Sequence, residues 1–315
     1  MTVAKHPDEV NELFDRLLRT SPATGRHVEL ASGRQVHVIE AGAGAPLVML
    51  HPGGTSSLLF LPLIQRLTGV RAIAIDRPGF GLSDPIDFTR DSFRSDVVTW
   101  ISQVLDALDL EETALLGSSM GGTWSLWFAL EHPGRVRRLV LAGAVPMAPG
   151  ARLPAPLRLT FGLMVVPGVG TLMNRLMKPS ERSVVKLMSF FGEGETVGEH
   201  PEQIEAQVVA GNDPVVAQAN LAEMRAVGTA AGEVRHAFRL QTDELSGLSV
   251  PTLIAWGEHD PIGDPAVARS FADAIPGARL ELLPAAHMPW FAETGRTGEL
   301  VGSFVREPDS SGRFV

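Results

Sequence analysis

The chain of 315 residues contains no cysteine. Disulfides, iron–sulfur clusters, thiolate zinc sites and a cysteine nucleophile are excluded, so nucleophilic chemistry would need Ser, Thr, Asp or Lys. Positive charge is also short: 27 Lys+Arg face 36 Asp+Glu, a formal net charge of −9. That balance argues against partners gripped through net positive charge, and neither nucleic acid nor an anionic membrane is expected. A membrane-spanning run is missing too, because the most apolar stretch, 161–173, is short and broken by Pro167, Gly168 and Gly170. No membrane insertion is expected. Residues 1–9 carry no apolar run behind Lys5 and do not read as a secretory signal, so the expected compartment is the cytoplasm. What is present, 44% hydrophobic and 20% charged residues, lacks the signatures of disorder and is enough to bury a sizeable core.

Residues 8–19 place Val10, Leu13, Phe14, Leu17 and Leu18 at helical spacing behind acidic residues suited to a helix N-terminus. This N-terminal helical extension, 1–25, is expected to pack on its own subunit, a homodimer contact being the other reading. The runs 27–30 and 35–39 flank a tight polar turn and read as a hairpin. From residue 46 short buried strands alternate with helices: strands at 46–50, 70–75, 113–116 and 136–142, helices at 57–67, 91–108 and 120–131. The rhythm stops after 145 and resumes with strands at 250–256 and 279–283 and helices at 265–275 and 293–306. Such alternation predicts a mostly parallel sheet covered on both faces, a core formed by 26–145 and 248–307. Segment 146–247 has helical signals and no convincing strand, and reads as a helical insertion. The glycine pairs at Gly42/Gly44 and Gly168/Gly170 read as loops, and 308–315 as a polar tail.

Gly117-Ser118-Ser119-Met120-Gly121 matches G-x-S-x-G and falls directly between a predicted buried strand and a helix. There the sharp turn would present Ser119 at the carboxyl end of the sheet. A hydroxyl is a poor nucleophile until a base takes its proton, and the base must itself be oriented by a third group. His287 follows the last predicted strand and Asp260 the strand before it, so loops at one sheet edge can bring both towards Ser119.

In this order, Ser119, Asp260, His287, the chain resembles the α/β-hydrolase superfamily across roughly residues 27–306. The resemblance implies the α/β-hydrolase fold, a mostly parallel eight-stranded sheet flanked by helices with a helical cap, here 146–247, inserted after the sixth strand. It also implies that Ser119 is the nucleophile, His287 the general base and then acid, and Asp260 the residue that fixes the imidazole tautomer. An acid after the sixth strand, found in some members, has no counterpart in Leu141-Ala142-Gly143-Ala144-Val145, and members with an aspartate nucleophile are disfavoured by Ser119. One oxyanion donor should be the N–H of Met120. The second should come from His51-Pro52-Gly53-Gly54-Thr55, where Pro52 replaces the family's usual glycine and has no N–H, which leaves Gly53, with Gly54 next.

The turn Asp76-Arg77-Pro78-Gly79-Phe80-Gly81 also resembles a family motif and is assigned a structural role, Asp76 and Arg77 satisfying buried backbone groups. His51 is read as holding its own loop and His259 as a polar neighbour of Asp260. The remaining histidines lack paired ligand spacing, so neither a metal nor another cofactor is expected. The cap should cover Ser119, with Gly54, Leu58, Leu59, Trp124 and Trp290 expected to line an apolar substrate pocket. The function expected is cleavage of a small apolar ester, lactone or thioester through a Ser119 acyl-enzyme. Alternatives on the same triad are a carbon–carbon bond hydrolase of the meta-cleavage-product type and a cofactor-free perhydrolase; a non-catalytic small-molecule receptor is the reading from another class.

Overall fold

A computed structural model describes residues 6–308; the first five residues, and the expected polar tail after Pro308, lie outside the described residues. Helix α1 (Asp8–Arg19) leads into the antiparallel hairpin β1 (Thr24–Glu29) and β2 (Gln35–Ala41). Then follow β3 (Ala45–Leu50), α2 (Leu61–Ile64), β4 (Val70–Ile75), α3 (Phe93–Ala107), β5 (Thr113–Ser118), α4 (Met120–Glu131) and β6 (Val136–Ala142). The segment expected as the cap supplies α5 (Ala155–Val165), α6 (Val169–Leu176), α7 (Glu181–Phe190), α8 (Pro201–Asn212), α9 (Pro214–Val227) and α10 (Thr242–Leu245). The sheet is completed by β7 (Thr252–Gly257), α11 (Pro265–Asp273), β8 (Arg279–Leu283), α12 (Pro289–Ala292) and α13 (Thr294–Arg306).

The eight strands lie in the order β1-β2-β4-β3-β5-β6-β7-β8, with β1–β2 and β2–β4 antiparallel and the rest parallel. Side chains alternate between two apolar layers: along β3, Val48 and Leu50 enter one core while Leu47 and Met49 enter the other. Burial on both faces explains why β3, the middle of β5 and the second half of β6 (139–142) read as continuous apolar runs. Parallel pairing also carries the loops after β3, β5, β7 and β8 to one sheet edge.

Helix α1 buries Val10, Leu13, Phe14 and Leu17 in the second layer, and Arg16 reaches Glu205 of α8 at 2.6 Å. The helix expected at 57–67 is only a 3₁₀ turn, Ser57–Phe60, followed by the single α-turn of α2. Pro62 explains the break, since proline is tolerated only in a first helical turn. The Gly168/Gly170 pair is not wholly a loop, because Gly170 lies inside α6, where a Cβ would come 2.0 Å from the Met164 carbonyl oxygen. Among the described residues no single helix is long and apolar enough to cross a membrane; α5 and α6 together reach that length and composition but are bent by 110°.

Candidate active site

The turn from β5 into α4 forces an unusual backbone on Ser119, with φ 51° and ψ −115°. A non-glycine residue there stores strain of order 1–3 kcal/mol, held by the strand and helix on either side. Close packing makes the turn possible: a Cβ on Gly121 would lie 2.0 Å from the Leu50 carbonyl oxygen. Ser118, the last residue of β5, is fully buried, whereas Ser119 is 8% exposed and lines two cavities.

Asp260, three residues beyond β7, is buried and holds His287 Nδ1 at 2.8 Å through Oδ2. The same carboxylate accepts the Ala144 N–H at 2.9 Å, and its Oδ1 accepts the Ile262 N–H at 2.9 Å. Three donors thus fix the carboxylate, and the carboxylate fixes the ring. His287 Nε2 is buried with no partner among the described residues. Ser119 and His287 both line the larger cavity. Burial disfavours the charged ring, but Asp260 and then Glu193 favour it, and the net pKa of His287 is raised.

In the loop after β3, Pro52 has no N–H to offer, but its carbonyl is held on three sides. The Pro52 carbonyl accepts from His51 Nδ1 (2.8 Å), Thr55 Oγ1 (2.9 Å) and Arg77 Nη2 (3.1 Å). In a planar trans peptide the C=O and the following N–H point in opposite directions, so clamping the Pro52 oxygen also aims the Gly53 N–H. Burial and the nearby Arg77 push the His51 pKa down to about 3, leaving the ring neutral. Its Nδ1–H can then donate to Pro52 while Nε2 accepts the Arg77 N–H at 3.0 Å. A Cβ at Gly53 would stand 3.9 Å from the Met120 Cβ, so the two expected donors are neighbours. Met120 opens α4, and its N–H has no intrahelical acceptor.

Arg77 itself is fully buried, forked onto Glu223 of α9 and sandwiched between the rings of Phe80 (4.8 Å) and Trp124 (4.6 Å). Asp76 accepts the N–H groups of Ser57 (2.7 Å) and Leu82 (3.1 Å) and contacts His37 Nδ1 at 2.8 Å.

Of the expected pocket residues, Gly54 lines the larger of the two cavities at Ser119. Leu58, Leu59, Trp124 and Trp290 do not; each is at most 2% exposed and belongs to the core layers. Trp290 donates to the Leu59 carbonyl at 3.1 Å, and Trp124 packs on Phe88, Phe93 and Trp100. Because the sheet needs large side chains on both faces, proximity to catalytic loops in sequence was a poor guide to pocket lining. His259 is exposed.

Cap residues take the place of those four. A cavity of about 110 Å³ is lined by Gly53, Ser119, Met120, Asn220, Glu223 and Met224 among others. A second, of about 550 Å³, includes Gly54, Ser119, Met164, Leu187, Asn220 and His287. The cap also clasps the histidine loop. The Phe191 ring stacks on His287 with centroids 5.3 Å apart, the Phe191 carbonyl accepts the His287 N–H at 3.3 Å, and Glu193 Oε1 accepts the Met288 N–H at 2.7 Å. Glu193 is fully buried and bonded to Thr196 Oγ1 at 2.6 Å, and burial raises its pKa. Nothing in the local sequence marks Glu193, since its partner is a backbone amide almost a hundred residues away.

Residues 45–293 match the family described as alpha/beta hydrolase fold, and the chain belongs to that family of enzymes. Within it, the chain is 31% identical over 306 residues to a 2-hydroxymuconate semialdehyde hydrolase of a Pseudomonas species, covering 93% of this chain and 98% of the relative. It is 30% identical over 273 residues to a 2-hydroxy-6-oxononadienedioate/2-hydroxy-6-oxononatrienedioate hydrolase of Cupriavidus pinatubonensis, covering 84% and 88% of the two chains. Among solved structures, the carboxylesterase CesB (YbfK) of Bacillus subtilis shares the fold with a TM-score of 0.71, 22% identity, and coverage of 94% of this chain and 97% of that one.

Proposed function

We propose that the protein is a serine hydrolase that cleaves small apolar carboxylic esters, lactones or thioesters through an acyl-enzyme on Ser119. Ser119 Oγ attacks the acyl carbon and gives its proton to His287 Nε2, while Asp260 holds the opposite ring nitrogen and stabilises the imidazolium. The N–H groups of Gly53 and Met120 receive the developing oxyanion. His287 then protonates the leaving oxygen or sulfur, and water, deprotonated by the same nitrogen, releases the acid. The leaving group belongs in the cavity that His287 lines, about 550 Å³, and the acyl group in the cavity of about 110 Å³ behind the oxyanion donors.

The observation that carries this reading is the charge of the walls. The basic side chains lining the two cavities are Lys178 and His287, while Arg77 is consumed by Glu223. A neutral acyl group with apolar flanks suits such walls better than a carboxylate-bearing diketone. Carbon–carbon bond hydrolysis of the meta-cleavage-product type is the second reading. It is supported by the activities named for the two relatives and by a cavity of about 240 Å³, lined by Arg152, Arg158 and Arg239, which shares Pro146, Leu153 and Glu233 with the small cavity.

Both substrate series should be assayed with one purified preparation. The ester reading predicts higher kcat/KM for aryl and alkyl esters than for a 2-hydroxy-6-oxo-dienoate. It also predicts gains of up to about 0.8 kcal/mol per added acyl CH₂ until the small cavity is full. Efficient dienoate cleavage beside poor ester turnover establishes the second reading instead.

A further inference from the structure

The exposed large hydrophobic side chains of the described residues all lie in one part of the cap: Leu159, Leu163, Val169, Leu172, Leu176, Met177 and Leu187. Leu159 and Leu163 are one turn apart on α5, and Val169, Leu172 and Leu176 share a face of α6. Leu176 is 73% exposed, Leu159 69% and Met177 64%, values that a water-facing surface does not require of any side chain in the hydrolase core. The charge here is opposite to that of the whole. Residues 155–190 carry five basic side chains, Arg158, Arg175, Lys178, Arg182 and Lys186, against the single acid Glu181, a local net of +4 in a chain of net −9. Arg158 sits 3.6 Å from Glu233; the other four are exposed.

We propose that the α5–α6–α7 face of the cap docks peripherally on an anionic lipid surface, with the leucine face shallowly immersed and the basic side chains at headgroup level. An apolar strip bordered by Lys and Arg is the chemistry that an interfacial helix needs, because long basic side chains bury their stems while their charges meet anionic headgroups. The 110° bend between α5 and α6 makes a wedge rather than a span. A second copy of the chain fits less well: a two-fold contact would oppose the same patch on each subunit and set +4 against +4. The patch is also continuous with the active site. Leu176, Met177, Lys178 and Leu187 line the cavity that holds Ser119 and His287, so an apolar ester dissolved in the lipid would have a direct path inward. That last consequence rests on the ester reading; the docking does not.

The test is co-sedimentation of the full chain with phosphatidylglycerol and with phosphatidylcholine vesicles, in the absence of substrate. Partitioning should be at least about tenfold stronger on the anionic vesicles and should weaken as salt rises. The Leu159→Asp/Leu172→Asp and Arg175→Glu/Lys186→Glu variants change exposed positions that line neither catalytic cavity. Each should reduce binding at least about tenfold and leave hydrolysis of a water-soluble ester unchanged. Absence of binding to anionic vesicles overturns the proposal, as does binding that both variants retain. Sedimentation velocity supplies a further contrary result: a dimer that Leu159→Asp/Leu172→Asp dissociates would assign the patch to a second copy of this chain.

Discussion

At His287, burial opposes the protonated ring while two carboxylates favour it, and the carboxylates prevail. Only the deprotonated ring can act as base, so kcat/KM should fall as pH drops through a pKa above the ordinary histidine value. Glu193→Gln keeps an acceptor for the Met288 N–H but removes one of the two charges, which should move the acid limb of the profile to lower pH. An unmoved limb would leave Glu193 with a purely mechanical role in the clasp. Asp260→Asn preserves shape while disfavouring the productive tautomer, and should lower kcat by up to about 10⁴-fold with the fold intact by circular dichroism. Nearly full activity in that variant would remove Asp260 from the triad. That Asp260 and His287 meet was readable in the sequence because each follows a strand end at the same sheet edge. Glu193 and Phe191 were not, because their contacts with the histidine loop exist only once the cap has folded over it.

The loop after β3 shows how an element sets the direction of one N–H. Arg77 does so from a distance, bonding the Pro52 carbonyl while its charge is balanced by Glu223 of the cap. Arg77→Met alone should cost about 3–5 kcal/mol of stability, since it leaves Glu223 buried and unpaired. The double variant Arg77→Met/Glu223→Met should recover most of that loss in chemical denaturation. Its kcat on a soluble ester should nevertheless stay down by at least about tenfold with KM little changed, because one clamp on the Pro52–Gly53 peptide is gone. Full recovery of kcat would mean that His51 and Thr55 suffice. The sequence reading gave this turn a structural role, but it could not show that Arg77 bonds the Pro52 carbonyl 25 positions away while its charge is balanced by Glu223, 146 positions away. Pro62 limited legibility differently: apolar spacing alone extended a helix over 57–67 that the proline confines to one turn.

At the scale of the molecule, the α/β rhythm gave away the sheet because the central stretches of strands buried on both faces are apolar. The cap was legible as a helical insertion but not as a surface. Helical periodicity tells which residues share a face, whereas the walls of the two cavities are assembled from α5, α6, α7, α8 and α9 together. Hence Trp124 and Trp290, bulky and close in sequence to the Ser119 turn and to His287, went to the core, while Asn220 and Met164 of the cap line the cavities. The proposed route passes through an ester of Ser119, and that species can be trapped. The enzyme, mixed with a slowly deacylated aryl ester, is quenched in acid and analysed by intact and peptide mass spectrometry. One added acyl mass is expected on the peptide carrying Ser119, formed within the first turnover and absent in Ser119→Ala. An adduct mapping to another residue such as Ser118, or turnover with no covalent adduct at any time, would contradict it.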